Sequence, residues 1–183
     1  MLKMRVCSLP IRTPRKKVPN MRRVETWTRY SLHPDDTKAL GAYLGRYARQ
    51  GDFIACCGPL GAGKTTLIQG LAQGLEVANA EYVRSPTFAL VHEYRGKFPL
   101  YHFDFYRLSH YSESLDIGFM DYLDSRGVVI VEWADRFPQL LPPDRLDINM
   151  QILPSDGRFI RLVAYGTAYV RFLELICEAH TQR

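Results

Sequence analysis

The amino-acid sequence predicts an α/β domain of three layers, with a mixed central sheet and an antiparallel hairpin towards its end. Three observations carry this expectation. Short apolar segments with strand patterning are interleaved with segments of helical period. One apolar run, Asp52–Cys57, passes directly into a glycine-rich loop and then into a helical segment. A second run, Gly127–Val131, is apolar throughout, as suits a central strand covered on both faces.

The elements follow in order. Arg22–Tyr30 carries Val24, Trp27 and Tyr30 and is expected as the first strand. Pro34 suits a first helical position, and Asp35 and Asp36 suit the positive end of a helix dipole. Leu40, Tyr43, Leu44 and Tyr47 recur at helical spacing, which makes residues 34–50 an amphipathic helix. Thr65–Leu75 is the helix after the glycine-rich loop. Thr87–Tyr94 and Phe98–Tyr106 are expected as two strands joined by a turn at Arg95–Lys97. Glu113–Leu123 is expected to be helical. Leu146–Leu153 and Phe159–Tyr165 alternate around the turn Pro154–Gly157, and Thr167–Ala179 closes the domain as a helix. The length of 183 residues and the absence of repeats or a long linker suit one domain over residues 22–183.

Apolar residues make up 46% and charged residues 23%, as in an ordinary soluble domain. No apolar run approaches the ~20 residues that span a bilayer, and no apolar signal core opens the chain, so no membrane role and a cytoplasmic location are expected. Cys7, Cys56, Cys57 and Cys177 have no zinc-ligand spacing and read as reduced thiols, with Cys56 and Cys57 on opposite faces of one strand. The net charge of +5 is unevenly placed. Residues 1–24 hold eight of the 24 basic residues and no acid, which leaves 16 basic against 19 acidic residues in the rest. The basic leader, residues 1–21, has three readings: a disordered tail that touches RNA or another polyanion, an organelle transit peptide, or an over-long start with Met21 as the true first residue.

The chemistry is concentrated in Gly58-Pro59-Leu60-Gly61-Ala62-Gly63-Lys64-Thr65, which matches the phosphate-binding P-loop pattern G-x-x-x-x-G-K-S/T. The glycines allow a tight turn whose backbone N–H groups point at phosphate oxygens, and the following helix adds its positive end. Leu60, Gly61, Ala62, Gly63, Lys64, Thr65 and Thr66 are therefore the expected nucleotide contacts, with Lys64 on the β- and γ-phosphates and the Thr65 hydroxyl on Mg²⁺. Such a site also needs an acid at the end of a neighbouring strand. Glu132 follows Val128–Val131, and Asp104 ends Leu100–Asp104. His102 shares a strand face with Asp104 and reads either as a base or, preferably, as a packed histidine that orients Asp104. Arg107 falls on the opposite face if that strand continues. Ser85-Pro86-Thr87 precedes an apolar strand, where a hydroxyl such as Thr87 either contacts the γ-phosphate or its Mg²⁺, or only closes a turn.

Together these motifs, with Tyr101-His102-Phe103-Asp104-Phe105-Tyr106-Arg107-Leu108, Val131-Glu132-Trp133 and Leu141-Pro142-Pro143-Asp144, resemble the TsaE (YjeE) family. These are small ATPases of bacterial tRNA threonylcarbamoyladenosine synthesis, and the resemblance covers about residues 24–170. It implies a P-loop NTPase fold with ATP and Mg²⁺ as cofactors, and an Mg-dependent ATPase that is weak in isolation. It implies TsaD and TsaB as partners, tRNA reached indirectly through that complex, and hydrolysis that resets the complex between rounds. Residue by residue, it implies that Lys64 binds phosphate, that Thr65 and Glu132 hold Mg²⁺ and that Asp104 supports hydrolysis or binds at the metal. Lys64, Asp104 and Glu132 would be the catalytic set, Ser85–Phe88 the nucleotide-sensing loop, and Trp133 a packing partner. Pro59 departs from the family, which usually has an acid there. A small-molecule kinase is the alternative, although no arginine-rich lid segment is evident. Thr37 and its neighbours are the adenine contacts that the sequence suggests.

Overall fold

The computed structural model describes residues 24–181. The basic leader, Cys7, Met21 and the first two residues of the predicted opening strand lie outside the described residues. Seven strands and five helices follow one another as β1 (Val24–Ser31), α1 (Pro34–Tyr47), β2 (Phe53–Cys57), α2 (Lys64–Gly74), β3 (Val91–Tyr94), β4 (Leu100–Asp104), α3 (Ser112–Asp116), α4 (Phe119–Leu123), β5 (Val128–Glu132), β6 (Arg145–Ile152), β7 (Arg158–Tyr165) and α5 (Thr167–Thr181).

All seven strands form one mixed sheet, in the order β1-β7-β6-β2-β5-β4-β3. The four inner strands β6, β2, β5 and β4 are parallel. β7 and β1 extend the β6 side antiparallel, and β3 closes the other edge antiparallel to β4. The parallel block explains the apolar run at β5, whose five residues are all buried. Alternation then sorts its side chains. Ile54, Cys56, Val128 and Ile130 meet α1, α2 and α5 on one face. Phe53, Ala55, Val129 and Val131 meet Phe103, Phe105, Phe119 and Phe137 on the other. Cys57 packs against this second cluster, so the two adjacent cysteines do face opposite sides.

The two outer layers are unequal. Three long helices cover the first face, while short α3, α4 and the turns at Ala134–Arg136 and Pro138–Leu140 cover the second. The second face relies on aromatic edge-to-face packing, with Phe119 at 5.0 Å from Phe103 and 5.3 Å from Phe105. Each such pair adds about 0.5–1.5 kcal/mol to the area it buries. On the first face α1 and α2 touch backbone to backbone. A Cβ at Gly70 would lie 1.9 Å from the Lys38 carbonyl oxygen, and one at Gly41 2.0 Å from that of Leu67. This contact brings the start of α1 beside the start of α2.

Several expected boundaries shift for local reasons. α1 is capped by the His33 ring and the Asp36 carboxylate, and it stops at Tyr47 rather than residue 50. There Asp52 takes the Arg49 N–H at 2.7 Å. The strand expected from Thr87 begins only at Val91. Thr87 turns towards Asp104, and Leu90 adopts φ +64° with its N–H on the Pro86 carbonyl at 2.7 Å. β4 ends at Asp104 because that carboxylate accepts the Tyr106 N–H at 2.8 Å and turns the chain. Arg107 is therefore not on a strand, and its guanidinium lies over the Phe88 ring at 4.1 Å. The single helix expected over Glu113–Leu123 divides at Gly118, which has φ +71°.

Candidate functional site

Parallel strands end on the same side of a sheet. The register pairs Glu132 of β5 with both Cys56 of β2 and Asp104 of β4. The chain leaving β2 and the two acids thus meet along one edge. Between them lies a cleft of about 370 Å³, lined by Leu60, Gly61, Gly63, Lys64, Thr65, Thr66, Thr87, Asp104 and Glu132 among others. Of the expected contacts from Leu60 to Thr66, Ala62 alone does not line it and is fully buried instead.

The loop uses its glycines for backbone shape. Gly61 and Gly63 have φ of +76° and +95°, where a side chain would be strained, and Gly63 directly precedes α2. Gly58 lies so close to β6 that a Cβ would meet the Met150 carbonyl oxygen at 2.5 Å. Lys64 is buried, and its Nζ donates to the carbonyls of Gly58 (2.8 Å) and Pro59 (2.9 Å). It also lies 3.9 Å from the centre of the Trp133 ring, a cation–π contact. Trp133 has φ +57° and its ring lies 4.9 Å from that of Tyr106, so it forms a wall beside the lysine. Pro59 contributes through its carbonyl, which also accepts the Ala62 N–H at 3.2 Å. Its missing N–H therefore removes nothing from the Lys64 geometry.

The two acids hold different partners. Glu132 Oε1 accepts from Thr65 Oγ1 at 2.9 Å and pairs with His102 Nε2 at 3.0 Å. Asp104 Oδ2 accepts from Ser85 Oγ and from Thr87 Oγ1 (2.9 Å), while its Oδ1 holds the Tyr106 N–H. His102 was expected to orient Asp104, but it orients Glu132. The two share a strand face, but His102 lies deeper in the sheet, and Glu132 of the adjacent strand reaches back to it. Its other nitrogen, Nδ1, is buried without a hydrogen-bond partner.

The cysteines have no part in this chemistry. Burial first, then nearby Asp135, pushes the Cys57 thiol up to about 12, and burial raises Cys56 well above the usual range. Neither is a thiolate near neutral pH. Thr37 is buried at the start of α1, and its hydroxyl lies 2.7 Å from that of Ser31. Both line a smaller cleft of about 60 Å³ that shares Gly63 and Thr66 with the larger one.

One residue at the loop was not anticipated. Arg158 opens β7, and its guanidinium reaches the Gly61 and Ala62 carbonyls, both at 2.9 Å. A lone arginine after a turn carries no local pattern, so only the fold could bring it to the loop.

A family model described as "Threonylcarbamoyl adenosine biosynthesis protein TsaE" matches residues 31–160, a span that includes every residue lining the two clefts. The tRNA threonylcarbamoyladenosine biosynthesis protein TsaE of Bacillus subtilis (strain 168) is 40% identical over 149 residues, covering 81% of this chain and 89% of that protein. The protein of the same name from Treponema pallidum (strain Nichols) is 37% identical over 130 residues, covering 71% and 95%. Among solved structures, the one titled "Crystal structure of Bacillus subtilus YdiB" superposes with a TM-score of 0.73 at 32% identity, over 86% of this chain and 98% of that one.

Proposed function

The chain belongs to the TsaE family of threonylcarbamoyl adenosine biosynthesis proteins, and from that premise we propose that it is a P-loop NTPase that hydrolyses ATP with Mg²⁺ in support of tRNA modification. In this reading hydrolysis resets a cytoplasmic TsaD–TsaB transferase between rounds, and tRNA is reached through that complex. The observation that carries the reading is the meeting of Lys64, Thr65, Asp104 and Glu132 at one cleft. The donors fit the metal: a hydroxyl and a carboxylate are the hard oxygen ligands that suit Mg²⁺ alongside phosphate and water. Among the described residues, no helix is long and apolar enough to cross a membrane.

Each residue then has a task. Lys64 exchanges the Gly58 and Pro59 carbonyls for the β- and γ-phosphates, so its ammonium moves little. Thr65 and Glu132 are already hydrogen-bonded to each other and would together hold the metal. Bound Mg²⁺ supplies neutralisation of charge on the phosphates. The free N–H groups at the start of α2 add to it. Asp104 Oδ2 orients the attacking water and takes its proton once Ser85 and Thr87 let go, and their loop then reports the γ-phosphate. The base would lie on the side of the smaller cleft, towards Thr37 and Thr66. Among the described residues that line the cleft, Lys64 is the one basic side chain, and no second cation stands ready for the charge on the transferred phosphoryl, which makes the isolated chain a slow ATPase.

The test is multiple-turnover formation of threonylcarbamoyladenosine on tRNA by TsaD and TsaB, supplied with a preformed activated threonylcarbamoyl donor, with and without this chain. The wild-type chain should sustain repeated rounds in ATP but not in a non-hydrolysable analogue, and Lys64→Ala should stop after about one round. Equal yields in all arms would overturn the resetting role. Phosphorylation of a small metabolite instead would establish a kinase.

A further inference from the structure

We infer that Arg158 is a second positioning cation of the nucleotide site, which holds the phosphate loop in its binding shape from the β6–β7 hairpin and adds positive charge to it. This rests on the nucleotide-binding reading above and names a residue that the motif does not contain.

The geometry is specific. Arg158 Nε donates to the Ala62 carbonyl and Nη2 to the Gly61 carbonyl, each at 2.9 Å. Nη1 donates to the carbonyls of Asp156 (2.6 Å) and Gly157 (3.0 Å) in its own turn. One planar fork thus joins two segments 96 residues apart. A lysine cannot serve four carbonyls in this way.

Two consequences follow. In a trans peptide the C=O and the next N–H point in opposite directions. Drawing the Ala62 carbonyl onto Arg158 therefore turns the Gly63 N–H away from the arginine, and Gly63 lines the cleft. Drawing the Gly61 carbonyl the same way leaves the Ala62 N–H to close the turn on Pro59. The second consequence is electrostatic. All four acceptors are carbonyls, and no carboxylate pairs with Arg158 among the described residues. Arg49 and Arg145, by contrast, each pair with an aspartate. The guanidinium, without a carboxylate partner among the described residues, stands behind a loop that has no acid from Gly58 to Thr66, so its field adds to that of Lys64 at the loop without lining the larger cleft.

The experiment titrates a fluorescent ATP analogue with Mg²⁺ into wild type, Lys64→Ala, Arg158→Met, Arg158→Gln and Arg158→Lys. It also records the melting temperature of each protein without nucleotide. Arg158→Met and Arg158→Gln should weaken binding about tenfold or more, since charge-assisted bonds at the loop are lost. Arg158→Lys should recover less than half of that loss on a logarithmic scale. Because Arg158 is only half-buried, the nucleotide-free melting temperatures should stay within about 3 °C of wild type. Wild-type affinity in Arg158→Met and Arg158→Gln, with Lys64→Ala still defective, overturns this role alone. Losses matched by a fall in melting temperature beyond that range, and fully restored by lysine, also overturn it. Wild-type affinity in Lys64→Ala instead overturns the nucleotide-binding reading itself. Should the methionine variant fail to fold, the glutamine and lysine variants carry the test.

Discussion

Asp104 and Glu132 stand opposite each other on adjacent parallel strands, are almost equally buried and carry the same charge. Their surroundings nevertheless divide them. Glu132 is joined to the P-loop helix through Thr65 and to the sheet interior through His102. Asp104 is joined to the loop before β3 through Ser85 and Thr87, and to its own turn through Tyr106. In the proposed function, one carboxylate is held by the part of the site assigned to phosphate and metal, and the other by the loop assigned to sensing the γ-phosphate. A shared position on the sheet thus leaves room for two roles, set by which donors reach each oxygen.

The largest effect should come from the residue that both halves require. Lys64→Ala should lower ATP hydrolysis by about 10³-fold, at the upper end for loss of one positioned charge-stabilising group. Unchanged turnover would remove the comparison altogether. Next, Glu132→Ala and Asp104→Ala should each lower kcat by about 10²-fold and weaken nucleotide affinity much less. Only the Glu132 variant should need more Mg²⁺ for half-maximal nucleotide binding. The same Mg²⁺ requirement in both variants would erase the distinction drawn between the two acids.

A smaller effect should follow at His102. His102→Leu should raise the Mg²⁺ needed for half-maximal nucleotide binding by about tenfold, as for other groups that orient a metal ligand. Its melting temperature should not fall, because the change also removes the buried, unpartnered Nδ1. His102→Gln, which keeps a donor near Nε2, should restore most of the Mg²⁺ response. Failure of glutamine to rescue would mean that the ring packs without orienting Glu132. The smallest effect should be that of Ser85→Ala, which removes one of two hydroxyls on the same Asp104 oxygen. One hydrogen bond of about 1 kcal/mol corresponds to roughly fivefold in turnover. A rise in turnover, measured by phosphate release, would show that the loop restrains Asp104 rather than positions it.

Much of the site was legible because its parts are local. The spacing from Gly58 to Thr65 encodes a loop whose shape depends on its own glycines. The acids could be found because an apolar run that ends in Asp or Glu marks the end of a buried strand. The sheet was legible for the same reason, since a strand covered on both faces must be apolar throughout. Legibility failed where the deciding partner came from elsewhere. Thr87–Leu90 has strand composition, but the pull of Asp104 on Thr87 takes it out of the sheet. His102 appeared to belong to Asp104 because the two share a strand, but the neighbouring strand supplied its partner.

The sequence by itself determined the α/β class, the glycine-rich loop that opens α2, the two acids at the strand ends and the family, because each depends on short-range pattern and on residue types that few other chemistries require. Only the tertiary structure decided which hydroxyl and which histidine serve which carboxylate, and that Arg158 reaches the loop. Those contacts join strands and loops far apart in the chain, and the strand register sets their directions. A hydrogen bond forms only where a donor meets its acceptor within about 3 Å. No local pattern carries that distance.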